Sequence, residues 1–312
     1  MTFIIEIGTV RKVQQLTIPL LVVLTILLSG CQSLFFWPSK DLVDSPGHFN
    51  FEREIVLFNS MDGIQLHGWY LTAKQTSQIP VPKGTVYFLH GNAQNLSYHI
   101  SSLYWLTDHG WNVFIIDYRG YGRSQGEPDF KSVIDDATAG YYWLKNNKDS
   151  QDNIIVLGQS LGGAIAVGML GLHQDIDVNG LIIDSTFTSH RKVFRELLGK
   201  SWLLWTFQYP LSMGLPDDYA PEKFIAKLSN IPTLLVHSEA DRVIDKQHSV
   251  DLFNLSQAKK GLWLADGIRH GQIWQEQEWQ QKLVCQLEQW PAFKAAERVC
   301  SEEQHNLELL SN

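Results

Sequence analysis

Gly158-Gln159-Ser160-Leu161-Gly162 sets a serine between two glycines. The apolar run Ile154-Ile155-Val156-Leu157 precedes it, and the small-residue stretch Gly163-Ala164-Ile165-Ala166-Val167 follows. Strand, sharp turn and helix are the elements this order implies. A serine at such a turn, a nucleophile elbow, is held in a strained backbone conformation with its Oγ clear of the sheet. The glycines are needed because side chains there would clash where strand and helix cross. The helix that starts after Ser160 aims backbone N–H groups at any developing anion. The chemistry is nucleophilic attack on a carbonyl carbon, and a neutral serine requires a base within hydrogen-bond reach.

Short apolar runs and amphipathic stretches alternate along the rest of the chain. Strands are expected at 54–58, 64–71, 85–89, 113–116, 154–157, 180–183, 233–237 and 262–265, the first two as an antiparallel hairpin across Asn59-Ser60-Met61-Asp62-Gly63. Helices are expected at 98–109, 131–146, after Ser160, at 247–255 and at 274–290. The second carries Val133, Ala137, Tyr141 and Leu144 at helical spacing. This alternation predicts a mostly parallel sheet covered on both faces. Ligands of such sheets sit beyond the carboxyl ends of the strands. His90, Asp117, Ser160, Asp184, Asp241 and His270 all fall just after expected strands, which argues for one site.

Five segments carry a resemblance to a known family. They are Leu89-His90-Gly91-Asn92-Ala93-Gln94-Asn95, Asp117-Tyr118-Arg119-Gly120-Tyr121-Gly122-Arg123-Ser124, the elbow, Leu235-Val236-His237-Ser238-Glu239-Ala240-Asp241, and Gly267-Ile268-Arg269-His270-Gly271. Over residues 50–290 the chain resembles the α/β-hydrolase superfamily and, within it, the Bem46-like serine hydrolases. The resemblance implies a sheet of about eight strands, helices on both faces and a short insertion over the strand ends. The order Ser, Asp, His implies that His270 is the base and that Asp241 holds its tautomer, with Asp184 as the alternative acid. It also implies an oxyanion hole from the backbone N–H groups of Leu161 and Asn92, with Ala93 in reserve for the second. Many members have His-Gly where this chain has His237-Ser238, which implies a somewhat different path for the acid loop. His90 reads as a brace of the oxyanion segment, Asp117 as a structural cap of loop 119–123, and His248 as a helix-surface residue. The implied activity is ester cleavage through an acyl-enzyme. Amide or peptide cleavage, and a non-catalytic binding protein on the same fold, stand as alternatives.

The insertion, about 186–230, contains Phe187, Phe194, Trp202, Leu203, Leu204, Trp205, Phe207, Tyr209 and Met213. Three readings are open for them: an apolar pocket for an acyl chain, packing of the segment onto the body, and membrane contact by residues 202–207. The net charge of -8 and the lack of any basic cluster argue against a nucleic-acid partner. No metal motif and no dinucleotide fingerprint is present, so no cofactor is expected. Arg11 and Lys12 precede an apolar run from Leu16 to Leu28, which ends in Leu28-Ser29-Gly30-Cys31. That pattern reads as a signal peptide over 1–30 with a lipobox, giving a lipid-anchored chain acylated at Cys31, with a plain signal anchor in which Cys31 is incidental as the alternative. Gln32 after the cysteine, in place of Asp, points to the outer membrane of a Gram-negative envelope, facing the periplasm. The division expected is a tether at 31–49 and a single, monomeric domain at 50–312. Cys285 and Cys300 are a candidate disulfide in an oxidising compartment, or else two buried thiols.

Overall fold

The computed structural model describes residues 35–43, 51–148 and 153–290. Eight strands form the main sheet: β1 (Glu54–Asn59), β2 (Gln65–Leu71), β3 (Gly84–Leu89), β4 (Trp111–Asp117), β5 (Ile154–Gln159), β6 (Gly180–Asp184), β7 (Thr233–Ser238) and β8 (Lys260–Ala265). Their spatial order is β8-β7-β6-β5-β3-β4-β2-β1. β2 pairs antiparallel with both β1 and β4, and every other pairing is parallel. The sheet is therefore mostly parallel, as the sequence pattern predicts.

All residues of β3 through β7 are buried. That is why these strands read as unbroken apolar runs rather than alternating ones. Their side chains nevertheless alternate between two cores. Tyr87, Phe114, Ile116, Ile154 and Val156 join one core. Val86, Phe88, Val113, Ile115 and Leu157 join the other.

The described residues hold seven helices: α1 (Leu96–His99), α2 (Phe130–Asn147), α3 (Leu161–Leu172), α4 (His190–Gly199), α5 (Gln208–Met213), α6 (Gln247–Leu255) and α7 (Gln277–Glu288). α2, α3 and α6 contribute to the first core, through Val133, Ile165 and Leu252 among others. The segment from α1 to His109, together with α7, contributes to the second. α2 begins where its apolar spacing predicts, because Asp129 and Ser132 form a reciprocal capping box.

The segment 98–109 departs from the expected single helix. α1 stops at His99, and 3-10 turns at Ile100–Ser102 and Tyr104–His109 follow. Ile100, Leu103 and Leu106 are all buried and recur every third residue, the spacing that stacks in a 3-10 helix. The terminal helix is likewise divided into a 3-10 turn at Ile273–Gln275 and α7, with Glu276 extended between them.

The lead-in packs onto the body. Phe35 and Phe36 are buried against Phe130 at ring separations of 4.9 and 5.2 Å, and Trp37-Pro38 pairs with Ala93-Gln94. Cys285 is disulfide-bonded. Cys300, the partner expected from sequence, lies outside the described residues, as do Cys31 and the apolar run before it.

Candidate active site

Ser160 sits between β5 and α3 with φ +54°. That conformation is costly for a residue bearing a Cβ. Three fixings hold it. The Ser160 N–H donates to the Asp184 carbonyl at 2.8 Å, Thr186 Oγ1 donates to the Ser160 carbonyl at 2.7 Å, and both flanking glycines are close-packed. A Cβ on Gly158 would lie 2.4 Å from the Gly162 oxygen, and one on Gly162 would lie 1.9 Å from the Leu89 oxygen. Both obstacles are backbone, so neither can swing aside. Gly162→Ala is expected to destabilise the fold by at least about 3 kcal/mol. Thermal unfolding should show a Tm lower by roughly 5–10 °C; an unchanged Tm would mean that α3 can move away from β3.

His270 comes from the loop after β8 and Asp241 from the loop after β7. His270 Nε2 lies 3.2 Å from Ser160 Oγ, and Nδ1 lies 2.5 Å from Asp241 Oδ2. Burial alone would raise the Asp241 carboxyl. Hydrogen bonds from His237 and His270, the nearby His270 charge and the Ile244 N–H instead hold it well below the usual carboxylate range. An ionised Asp241 makes His270 Nδ1 the protonated nitrogen and leaves Nε2 to accept the Ser160 proton.

His237 is a partner the sequence did not disclose. Its Nε2 lies 3.4 Å from Asp241 Oδ2, and its Nδ1 meets Ser249 Oγ at 2.7 Å. The other acid oxygen, Oδ1, accepts from the N–H groups of Val243 at 2.7 Å and Ile244 at 3.0 Å. Ser238, the departure from the His-Gly pattern, donates its Oγ to the Ile268 carbonyl, which ties the acid loop to the histidine loop.

Asp184 is brought near the same centre but not onto His270. It accepts from Gln159 Nε2 at 2.8 Å, and Gln159 also reaches the Gly271 carbonyl at 3.3 Å. Burial pushes the Asp184 carboxyl up, against the opposing Gln159 hydrogen bond. Gln159 thus bridges the strand end to the histidine loop; its place inside the pentapeptide was the available signal.

Asn92 is fixed through its side chain. Oδ1 accepts from Trp37 N–H at 3.1 Å and Tyr121 Oη at 2.9 Å, and Nδ2 donates to the Phe35 carbonyl at 2.5 Å. Among the described residues, the backbone N–H groups of Asn92 and Leu161 donate to no protein acceptor, and both residues line the cavity above Ser160. His90 beneath them is buried, donates Nδ1–H to the Gly91 carbonyl at 2.8 Å and lies 4.5 Å from the Tyr118 ring centroid. Burial lowers its pKa well below the ordinary imidazole value, so it stays neutral. Asp117 is structural in position, accepting from His67 Nδ1, Leu96 N–H and Arg123 N–H. The next turn is held by Arg119 on Asp136 at 2.7 Å and on Asp62 at 2.8 Å.

A cavity of about 600 Å³ opens over Ser160. Its apolar wall comes from Phe187, Val193, Phe194 and Leu197 of the insertion, and from Phe35 and Trp37 of the lead-in. Two of the nine insertion residues singled out by sequence, Phe187 and Phe194, line it. The seven from Trp202 to Met213 do not; they stand exposed on the outer side of the insertion. His248 also corrects its surface reading. It is buried, accepting from Thr188 N–H at 3.1 Å and meeting Glu196 at 2.9 Å, so it fastens α6 to the insertion.

Residues 80–214 match the family described as serine aminopeptidase, S33. The uncharacterized protein YfhR of Escherichia coli strain K12 is 32% identical over 252 residues, covering 78% of this chain and 84% of that one. Protein bem46 of Schizosaccharomyces pombe is 29% identical over 230 residues, covering 73% and 74%. Among solved structures, an esterase of Pyrococcus furiosus superposes with a TM-score of 0.65 at 22% identity, over 82% of this chain and 97% of its own.

Proposed function

We propose that this chain, which belongs to the Bem46-like branch of the α/β-hydrolase superfamily, is a serine hydrolase that cleaves carboxylic esters. One observation carries the reading: a continuous path from Ser160 Oγ through His270 to an ionised Asp241, beside two unpaired N–H groups. His270 takes the Ser160 proton as Oγ attacks the ester carbonyl carbon. The oxyanion forms against the N–H groups of Leu161 and Asn92; one such donor is worth about 3 kcal/mol of transition-state stabilisation. Collapse expels the alcohol, which receives the proton from His270. Water, deprotonated by His270, then attacks the acyl-enzyme and releases the acid. No cofactor takes part in this scheme. The apolar wall suits a hydrophobic acyl or alcohol group.

Amide cleavage is the second reading, favoured by the description of the matching family. An aminopeptidase has to hold a substrate ammonium group, and among the described residues none lining the cavity is Asp or Glu. That favours esters. Two assays test the choice. A fluorophosphonate probe followed by peptide mass spectrometry should modify Ser160 alone; no modified serine would turn the reading toward a binding protein. A panel of p-nitrophenyl esters should be turned over at least about 100-fold faster than aminoacyl p-nitroanilides, on the measure of kcat/KM. The reverse order would establish the peptidase. We further propose that the chain is monomeric and held in the cell envelope through Cys31.

A further inference from the structure

Residues 201–216 contain no charged side chain. Within them Trp202 is 86% exposed, Trp205 56%, Phe207 54% and Met213 73%. Monomeric proteins rarely leave so contiguous an apolar surface in water. Its composition, two Trp, one Tyr and several Leu around short helical turns, is that of a segment seated at a membrane interface.

Position identifies the occupant. The patch directly follows α4, whose Leu197 and Leu198 line the cavity, so chain connectivity keeps it near the mouth. Phe35, packed against Phe187 and His190, also lines the cavity, and Trp37 beside it is 67% exposed. Cys31 precedes Phe35 by four residues. Four residues span at most about 14 Å when fully extended. The apolar run ends at Leu28, seven residues before Phe35, a reach of roughly 25 Å. A bilayer holding the N-terminus by either means therefore lies alongside the cavity mouth. Charge agrees. Arg191, Lys192, Arg195 and Lys200 lie on or just after α4, whose own sequence holds one acid, Glu196; Lys192 is paired with Asp251, and Asp217 accepts from the first turn. The Arg195 guanidinium stands 5.4 Å from the Tyr209 ring, at the edge of the patch. Basic side chains there suit anionic headgroups.

We propose that segment 201–213 seats on the bilayer that holds the chain's own N-terminus, so that the cavity opens at the lipid surface and takes its substrates from it. The substrate half rests on the ester hydrolase reading; the docking half does not. The test reconstitutes the full chain in vesicles of phosphatidylethanolamine and phosphatidylglycerol, with or without brominated acyl chains. Bromine should quench wild-type tryptophan fluorescence, and W202F/W205F should lose most of that quenching while keeping its fold. Equal quenching in the two proteins overturns the docking. A second variant, L203D/F207D, should hydrolyse a soluble short-chain ester at the wild-type rate and a vesicle-embedded ester at least tenfold more slowly. Equal losses on both esters, or none on either, would overturn the lipid-surface route. A chain inert toward both esters but still quenched would retain the docking and refute the hydrolase reading. A detergent-solubilised dimer converted to monomer by L203D/F207D, with no bromine quenching, would assign the patch to a second copy.

Discussion

Ser160→Ala is expected to lower kcat roughly a millionfold on any ester the wild-type chain turns over, with Tm held within a few degrees. The size of the loss follows from the arrangement. Among the described residues the one hydroxyl that meets His270 Nε2 is Ser160 Oγ, at 3.2 Å, and in the proposed scheme the two N–H donors act only once an oxyanion forms opposite them. Binding and the oxyanion hole alone leave a residual acceleration over water, so the variant should not fall to the uncatalysed rate. Steady-state kinetics against an active-site-titrated wild type checks this. Retention of more than about one per cent of kcat would remove Ser160 from the nucleophile's role.

Asp241→Asn is expected to cost about 10⁴-fold in kcat, with Asp184→Asn costing less than about tenfold. The two acids are separated by their partners. Asp241 meets His270 Nδ1 at 2.5 Å, whereas Asp184 is spent on Gln159. An amide at 241 can turn its NH₂ toward His270 and stabilise the wrong tautomer, which leaves Nε2 protonated and unable to accept from Ser160. An amide at 184 retains an acceptor for Gln159 and removes a charge that burial already disfavours. A comparison of kcat and KM for both variants separates the roles. A larger loss at 184 would identify Asp184 as the acid and leave Asp241 as a brace for His237.

Much of this was legible in the chain. The central strands announce themselves as unbroken apolar runs because they are buried on both faces. The elbow does so because close backbone approach admits only glycine at 158 and 162. Ser160, Asp241 and His270 lie on separate strand ends, and parallel topology brings those ends together whatever the loops do. The insertion was not legible in this way. Phe187 and Trp202 are both large aromatics of the same insertion, yet one lines the cavity and the other faces outward. Phe187 packs against Phe35, a residue distant in sequence, at a ring separation of 5.9 Å. His248 was misread for the same reason, since its partners Thr188 and Glu196 lie on another element. The 3-10 turn at 104–109 packs against β4, and neither it nor the turn at 100–102 contains Gly or Pro.

The two hydrogen bonds between the lead-in and Asn92 have an architectural consequence. A chain shortened to begin at β1 would retain every sheet strand and all three side chains of the proton path. It would lose the Trp37 N–H donor and the Phe35 carbonyl acceptor that orient Asn92, together with one wall of the cavity. The minimal working unit therefore begins upstream of the domain that topology delineates. Residues 35–37 are thus a structural part of the cavity above Ser160 as well as a lead-in to the sheet.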